Sequence, residues 1–275
     1  MLAVGAVGGL GRLGLVAAAV RQLFDPRSLF TAGEQGVWYD PSDLSTLFQD
    51  SAGTIPVTAV EQPIGRMLDK SGRGNHAFMA TAIDRPILRQ DAGGRYYLAC
   101  NGANTWMQTN SIDFTATDKV TVFAALTPNA ASAAVFVELG ATLSVGGMTL
   151  HSGYSTGNLS FGLNRGLISI YGHAMTVGAA QLSTGLLDYS QAAATDEIKM
   201  RYNGIAKSLS AQASNIGPAG SGTFGNYPLY LFRRAGTSFP FNGNFYGLVI
   251  RGALTSDPQT IAMERWLAPK TGVTL

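Results

Sequence analysis

From residue 36 onward the chain alternates short apolar runs with clusters of turn formers, and the apolar runs recur at spacings of about 8–12 residues, as in a β-sandwich. Val37-Trp38-Tyr39 reads as a short strand that Asp40-Pro41-Ser42-Asp43 ends. Residues 44–49 and 54–63 read as an irregular hairpin-like excursion with Gly53 at a turn. Residues 95–100 and 106–109 flank Asn101-Gly102, a dipeptide suited to the positive φ angles of a tight hairpin. In 119–126, Val120, Val122 and Ala124 alternate with Thr121, Phe123 and Ala125, the pattern of a strand covered on both faces. Further strands are expected over 134–139, 143–151, 158–163, 167–171, 184–193, 197–202, 227–233 and 244–251, with Asn203-Gly204 closing one of them. One helix is expected near 257–267: Ser256 can cap it, Pro258 suits its first turn, Ile261, Met263 and Trp266 offer apolar contacts, and Glu264 with Arg265 faces outward. The pattern therefore predicts an all-β, two-sheet antiparallel sandwich with a short C-terminal helix, without internal repeats or a long polar linker.

The first residues differ from the rest. Residues 1–24 are Ala, Val, Gly and Leu interrupted by Arg12 and Arg21. No basic residue precedes the apolar stretch, so it makes a poor signal peptide. Arg12 and the glycines break the roughly 20-residue apolar length a bilayer needs, so no membrane span is expected. Residues 13–24 suit a short helix with Leu13, Val16, Val20 and Leu23 near one face. That face must be buried, either on a neighbouring subunit or on the chain's own domain. The partition expected is an N-terminal apolar arm, 1–27, for docking, followed by one domain, 28–275.

Composition narrows the function. Only 13% of residues are charged, against roughly a quarter in ordinary soluble proteins, and Gly reaches 34 residues. That fits a turn-rich β chain part of whose surface meets other proteins. The net charge of +2 is spread without a run of one sign, so a basic nucleic-acid-binding face is not supported. The one cysteine, Cys100, excludes an internal disulfide and sits in an alternating stretch that suggests a buried thiol.

The densest local signal is Asp69-Lys70-Ser71-Gly72-Arg73-Gly74-Asn75-His76-Ala77. It lacks an apolar period. Its glycines, Gly72 and Gly74, can take positive φ, and Asp69, Ser71 and Asn75 can bond back to the local backbone, with His76 completing the turn. Together with residues 36–47, Arg85-Pro86, residues 241–253 and the helix end at 264–273, this loop resembles the concanavalin A-like lectin/glucanase (laminin-G-like) jelly rolls of tailed bacteriophages. The resemblance covers about residues 30–275. It implies two antiparallel sheets packed face to face, in a protein that binds glycans or neighbouring virion subunits. The same family commonly reads Phe-Asp-Gly, a hydrophobic residue and two acids after the strand that here ends at Cys100. This chain has Asn101-Gly102-Ala103-Asn104-Thr105 instead, too few carboxylates for a calcium site.

Enzyme chemistry finds little support. Glucanases of the superfamily resemble one another in a strand with two glutamates flanking an aspartate, all on one face. Here Glu138 is isolated, and the adjacent Asp196 and Glu197 point to opposite faces. His76, His151 and His173 are too scattered for a recognisable metal cluster. Gly5 to Gly11 lacks the preceding strand of a dinucleotide loop. No metal or cofactor is expected. Sugar contact is a sharper candidate, because an aromatic ring beside amides meets both faces of sugar chemistry. Trp106 with Asn101 and Asn104 is one such group, Tyr154 with Asn158 a second, while Trp106 also reads as an ordinary packing residue. The expectation is a non-enzymatic phage virion protein, tail- or fibre-associated. It would dock other virion proteins through its arm, form a homo-oligomer (a trimer) and contact host surface polysaccharide. Capsid decoration and glycan degradation are the alternatives.

Overall fold

In a computed structural model, which describes residues 24–154, 157–214 and 222–275, the alternating stretches pair into two antiparallel sheets. In chain order the first strands are β1 (Gly36–Tyr39), β2 (Leu47–Phe48), β3 (Arg66–Met67), β4 (Ala77–Phe78), β5 (Ile87–Gln90) and β6 (Tyr96–Asn101). Next come β7 (Met107–Asp113), β8 (Lys119–Pro128), β9 (Ala134–Leu139), β10 (Gly147–Ser152), β11 (Asn158–Asn164) and β12 (Ile168–Ala174). The last are β13 (Gln181–Asp188), β14 (Ile198–Tyr202), β15 (Ile205–Lys207), β16 (Ser210–Ser214), β17 (Asn226–Leu231) and β18 (Asn242–Arg251), followed by α1 (Asp257–Thr271). The eight-stranded sheet runs β15-β14-β13-β8-β18-β6-β5, with β1 also on β18; the ten-stranded sheet runs β16-β12-β11-β10-β9-β17-β7-β4-β3-β2. This is the expected two-sheet antiparallel jelly-roll sandwich with one C-terminal helix.

The inner faces make one apolar core. Val120, Val122, Ala124 and Leu248 from one sheet meet Met107, Phe136, Leu150 and Phe161 from the other. Phe161 reaches across so closely that a Cβ on Gly185 would stand 2.6 Å from its ring, which ties glycine at that position to the sheet spacing. The outer face of the eight-stranded sheet is also apolar, as the double alternation in 119–126 required. There Phe123, Ala125, Leu182 and Val249 lie under Met263, Leu267 and Ala268 of α1, with Leu29 and Trp38.

The helix departs from expectation at three points. It runs on to Thr271 through Pro269, and Gly272 ends it at φ 77°. Glu264, expected to face solvent, is 2% exposed. It takes a bidentate pair from Arg201 (2.8 and 2.9 Å) and a hydrogen bond from the Thr184 hydroxyl (2.9 Å). Ile261, expected to pack, is 39% exposed. The N-terminal end follows the sequence: the Gln259 side chain accepts the Ser256 N–H at 3.0 Å.

Strand expectations shift where local backbone bonding overrides the apolar pattern, and the strand expected over 184–193 runs instead over Gln181–Asp188. Residues 140–146 form a loop rather than the start of a strand, with Gly140, Thr142, Leu143 and Gly146 all at positive φ. The buried Glu138 carboxylate accepts the Leu143 N–H at 2.7 Å and anchors that loop. Asn101-Gly102 is a corner, not a hairpin: β6 belongs to the eight-stranded sheet and β7 to the ten-stranded one. The Asn101 side-chain oxygen accepts from the N–H groups of Ala103, Asn104 and Thr105 at 2.9–3.3 Å, turning the chain across the sandwich. Asn203-Gly204 does join neighbours, β14 and β15, with φ of 47° and 77°.

The expected docking residues Leu13, Val16, Val20 and Leu23 lie outside the described residues. Among the described residues no helix is long and apolar enough to cross a membrane.

Candidate functional site

The Asp69–Ala77 loop is built around one carboxylate. Asp69 is 8% exposed, and its two oxygens accept from the N–H groups of Trp38 (2.8 Å), Ser71 (2.9 Å) and Asn75 (3.1 Å) and from the Ser71 hydroxyl (2.7 Å). The Asp69 N–H donates to His76 Nδ1 at 3.0 Å. The Asn75 amide donates to Gly36 O and Gln35 Oε1, and Tyr39 donates its hydroxyl to Asn75 O. Gly72 and Gly74 take φ of 87° and 77°. With its oxygens used inside the chain, Asp69 offers no open valence to a metal ion.

The sequence grouped Trp106 with Asn101 and Asn104; the fold keeps the two asparagines together, the Asn101 amide donating to Asn104 Oδ1 at 2.7 Å, and turns Trp106 away from them. Asn104 is tied down, its amide donating to Ile83 O (2.8 Å) and Asp84 Oδ1 (2.7 Å). Trp106 turns to the ten-stranded sheet, half-buried, with its ring 6.3 Å from that of Tyr230 and closed over Gly236. Asn101 remains exposed on the eight-stranded sheet. The second pair also parts: Tyr154 tilts over His151 at 4.9 Å, whereas Asn158 donates to Gln212 Oε1 at 2.8 Å.

Asn101 opens onto a groove of about 540 Å³ on the outer face of the eight-stranded sheet, past the area that α1 covers. Strand alternation builds it. Ile87 and Arg89 on β5, Tyr97 and Ala99 on β6 and Asn244 on β18 point the same way, and Asn244 stands opposite Ala99 in register. Asn129, just past β8, closes one side. Tyr97 is half-buried and packs against Tyr246 with ring centroids 5.4 Å apart. Burial, with the Tyr246 ring next, raises the pKa of its phenol, which stays a neutral donor and acceptor. The Tyr97 hydroxyl and the Asn129 and Asn244 amides make no hydrogen bond to any described residue, so they remain available to a ligand. Arg85 is spent on the carbonyls of Met79, Gln49 and Ala80 (2.8–3.1 Å), and Arg89 faces Glu61 at 3.3 Å. The groove thus offers a ring edge, a neutral hydroxyl and two amides, in a volume within the roughly 300–1,000 Å³ usual for small-ligand sites. Sequence reading missed Tyr97, Asn129 and Asn244. Alternation marked Tyr97 as facing away from Cys100, but only the β6–β18 register brings Asn244 beside it.

Four buried carboxylates are each held by a cation. Glu138 is fully buried against Arg234 (3.1 Å), Glu197 against Arg165, Glu264 against Arg201, and Asp40 against Lys270 (2.9 Å). Burial outweighs the arginine and raises the pKa of Glu138 and of Glu197. Among the described residues, no three His, Cys, Asp or Glu side chains gather as a metal site requires.

No family model matches the sequence, and no curated protein does. Solved structures match at the level of fold. The botulinum neurotoxin serotype G binding domain superposes with a TM-score of 0.54 at 9% identity, over 74% of this chain and 49% of that one. An arabinofuranosidase complexed with arabinofuranosyl-α-1,2-xylobiose gives 0.55 at 15% identity, over 90% of this chain and 65% of that one. The binding domain of botulinum neurotoxin DC in complex with rat synaptotagmin II gives 0.50 at 9%, over 73% and 49%. This chain spans about half to about two thirds of the length of those structures. At such identities the likeness shows the fold alone, a two-sheet jelly-roll-like sandwich.

Proposed function

We propose that this chain is a non-catalytic glycan-recognition subunit of a bacteriophage particle, tail- or fibre-associated and docked by residues 1–27 onto other virion proteins. The observation that carries the recognition reading is the Tyr97 groove, where the Tyr97 phenol and the Asn129 and Asn244 amides are neutral groups without a partner among the described residues, and the exposed cation Arg89 faces Glu61. Neutral hydroxyls and amides suit neutral sugars, with the ring supplying apolar contact to a pyranose face. The buried carboxylates support the non-catalytic reading, because Glu138, Glu197 and Glu264 are each held by an arginine. Glycoside hydrolysis instead needs two carboxyl groups about 5–10 Å apart across a substrate. The phage assignment rests on the resemblance of residues 36–47, 68–77 and 241–253. Repetition on a particle, as in a homotrimer, would let weak single-site contacts add.

The test is an array of neutral bacterial polysaccharides probed with the full chain and its Tyr97→Ala variant, joined to immunogold labelling of particles. Binding that Tyr97→Ala removes, with label at the tail, is the expected result. Label over the head would transfer the chain to capsid decoration. Release of reducing sugar from any polysaccharide would overturn the non-catalytic reading.

A further inference from the structure

A second cleft, of about 450 Å³, opens on the outer face of the ten-stranded sheet across β3, β4 and β7, lined by Ser51, Arg66, Asn75, His76, Phe78 and Asn110. Its chemistry differs from that of the Tyr97 groove. Arg66 on β3 and Phe78 on β4 stand directly opposite each other in register, with Gln108 of β7 beyond Phe78, so cation and ring share the outer face. Arg66 spends one terminal nitrogen on the carbonyls of Ser51 (3.3 Å) and Ala52 (3.4 Å). Its Nε and other terminal nitrogen stay open, and it makes no ion pair among the described residues. In that it differs from Arg201, Arg234 and Arg251, each of which meets a carboxylate.

His76 adds a donor of fixed direction. Its Nδ1 accepts the Asp69 N–H, so that nitrogen carries no proton, and a neutral ring must hold its proton on Nε2. Burial, followed by the nearby Arg66 charge, keeps the pKa of the ring below its usual value, so the neutral form prevails at pH 7. The nearest carboxylate, Asp69, is saturated by its own loop. Asn110 is exposed and its amide is unengaged. Phe78 is half-buried and supplies an apolar wall.

We propose that this cleft is a separate site for an acidic saccharide, taking the sugar carboxylate on Arg66, ring hydroxyls on His76 Nε2–H and Asn110, and the apolar sugar face on Phe78. A guanidinium with two open nitrogens matches a carboxylate fork to fork, and these charge-assisted bonds are roughly twice as strong as those it makes to the hydroxyls of a neutral sugar. The inference stands independently of the Tyr97 groove, since the two sites lie on different sheets and select opposite sugar chemistry.

The experiment is calorimetric titration of the full chain with an oligogalacturonate, its methyl ester, and inorganic sulfate. The acid form is expected to bind at least about tenfold more tightly than the ester, the free energy of one charge-assisted hydrogen bond. Arg66→Gln should remove that preference, and Asn110→Ala, at an exposed position, should weaken binding of the acid form about threefold to tenfold without lowering Tm. Equal binding of acid and ester overturns the proposal. So does sulfate binding as tightly as the oligogalacturonate, which would reduce the cleft to a bare anion site. Should Arg66→Gln unfold the chain, the Asn110→Ala titration decides alone: unchanged affinity for the acid form overturns the assignment.

Discussion

Asp69 accepts the backbone N–H of Trp38 at 2.8 Å, joining β1 to a loop 31 residues further on. That bond is one of four to the same carboxylate, and it explains why the two most distinctive stretches of sequence occur together. Asp69→Ala leaves four donors without their acceptor in a site nearly closed to water. The expected cost is about 3 kcal/mol or more, read as a lowered urea midpoint. Asp69→Asn keeps one acceptor oxygen and should cost roughly half as much. Equal stability of the alanine variant and the parent would show that water replaces the carboxylate without loss.

Glu264 ties α1 to the sheet, because its partners Arg201 and Thr184 are directly opposed in the β13–β14 register. Removing one member strands the other, so Glu264→Ala should lose about 3 kcal/mol, less than for a fully buried pair since Arg201 retains some solvent. Replacing both residues by Leu should recover much of the loss. A double-mutant cycle in urea, with Arg201→Leu and Glu264→Leu, measures the coupling. A coupling near zero would mean that α1 is held by Met263 and Leu267 alone.

Glu264 also illustrates what the sequence could and could not convey. Alternation in 119–126 announced a strand covered twice, and α1 on the outer face of β8 is the cover. A lone Glu in a helix with no clean apolar stripe gives no sign that it faces inward, because its partner Arg201 is 63 residues away. Asn101-Gly102 misleads for a related reason. The dipeptide specifies a sharp turn, and whether that turn returns within one sheet or crosses to the other depends on where the next strand finds its pair. The Tyr97 groove was half legible. Asn101 was singled out with the wrong aromatic, since Trp106 lies beyond the corner and Tyr97 before it, on opposite sheets.

His151 gives the fold a pH dependence. Its ring is 1% exposed under Tyr154, neither nitrogen has a well-formed partner, and burial, with the Arg234 charge, pushes its pKa down to about 3. The unfolded chain therefore takes up a proton near pH 6.5 that the folded chain refuses until about pH 3. Stability from this group is complete above pH 6.5 and falls by about 1.4 kcal/mol per pH unit as pH drops toward 3. Between pH 7 and pH 5 the loss is about 2 kcal/mol. Buried Glu138 and Glu197, with raised pKa values, pull the other way, so the comparison must be with His151→Leu. That variant should show a flatter pH profile and, at pH 7, equal or higher stability, because it removes an unpaired buried polar group. Parallel profiles for the two proteins would place a proton or a partner on the ring in the folded state.

Tyr97 and Trp106 should separate binding from stability. Trp106 is wedged between Tyr230 and Gly236, where a Cβ on the glycine would stand 2.7 Å from the indole. Trp106→Ala opens a half-buried void and should cost about 2–3 kcal/mol in stability, below the full-burial range, while leaving neutral-sugar affinity unchanged. Tyr97→Ala removes an edge ring that still touches solvent. It should cost about 1 kcal/mol in stability while lowering affinity for a neutral oligosaccharide at least about tenfold, the equivalent of 1.4 kcal/mol. Thermal melts and sugar titrations on the two variants give four numbers with an expected crossing pattern. If Trp106→Ala abolishes sugar binding in a chain that still melts cooperatively, the recognition surface belongs to the ten-stranded sheet beside Tyr230, and the Tyr97 groove is an ordinary surface hollow.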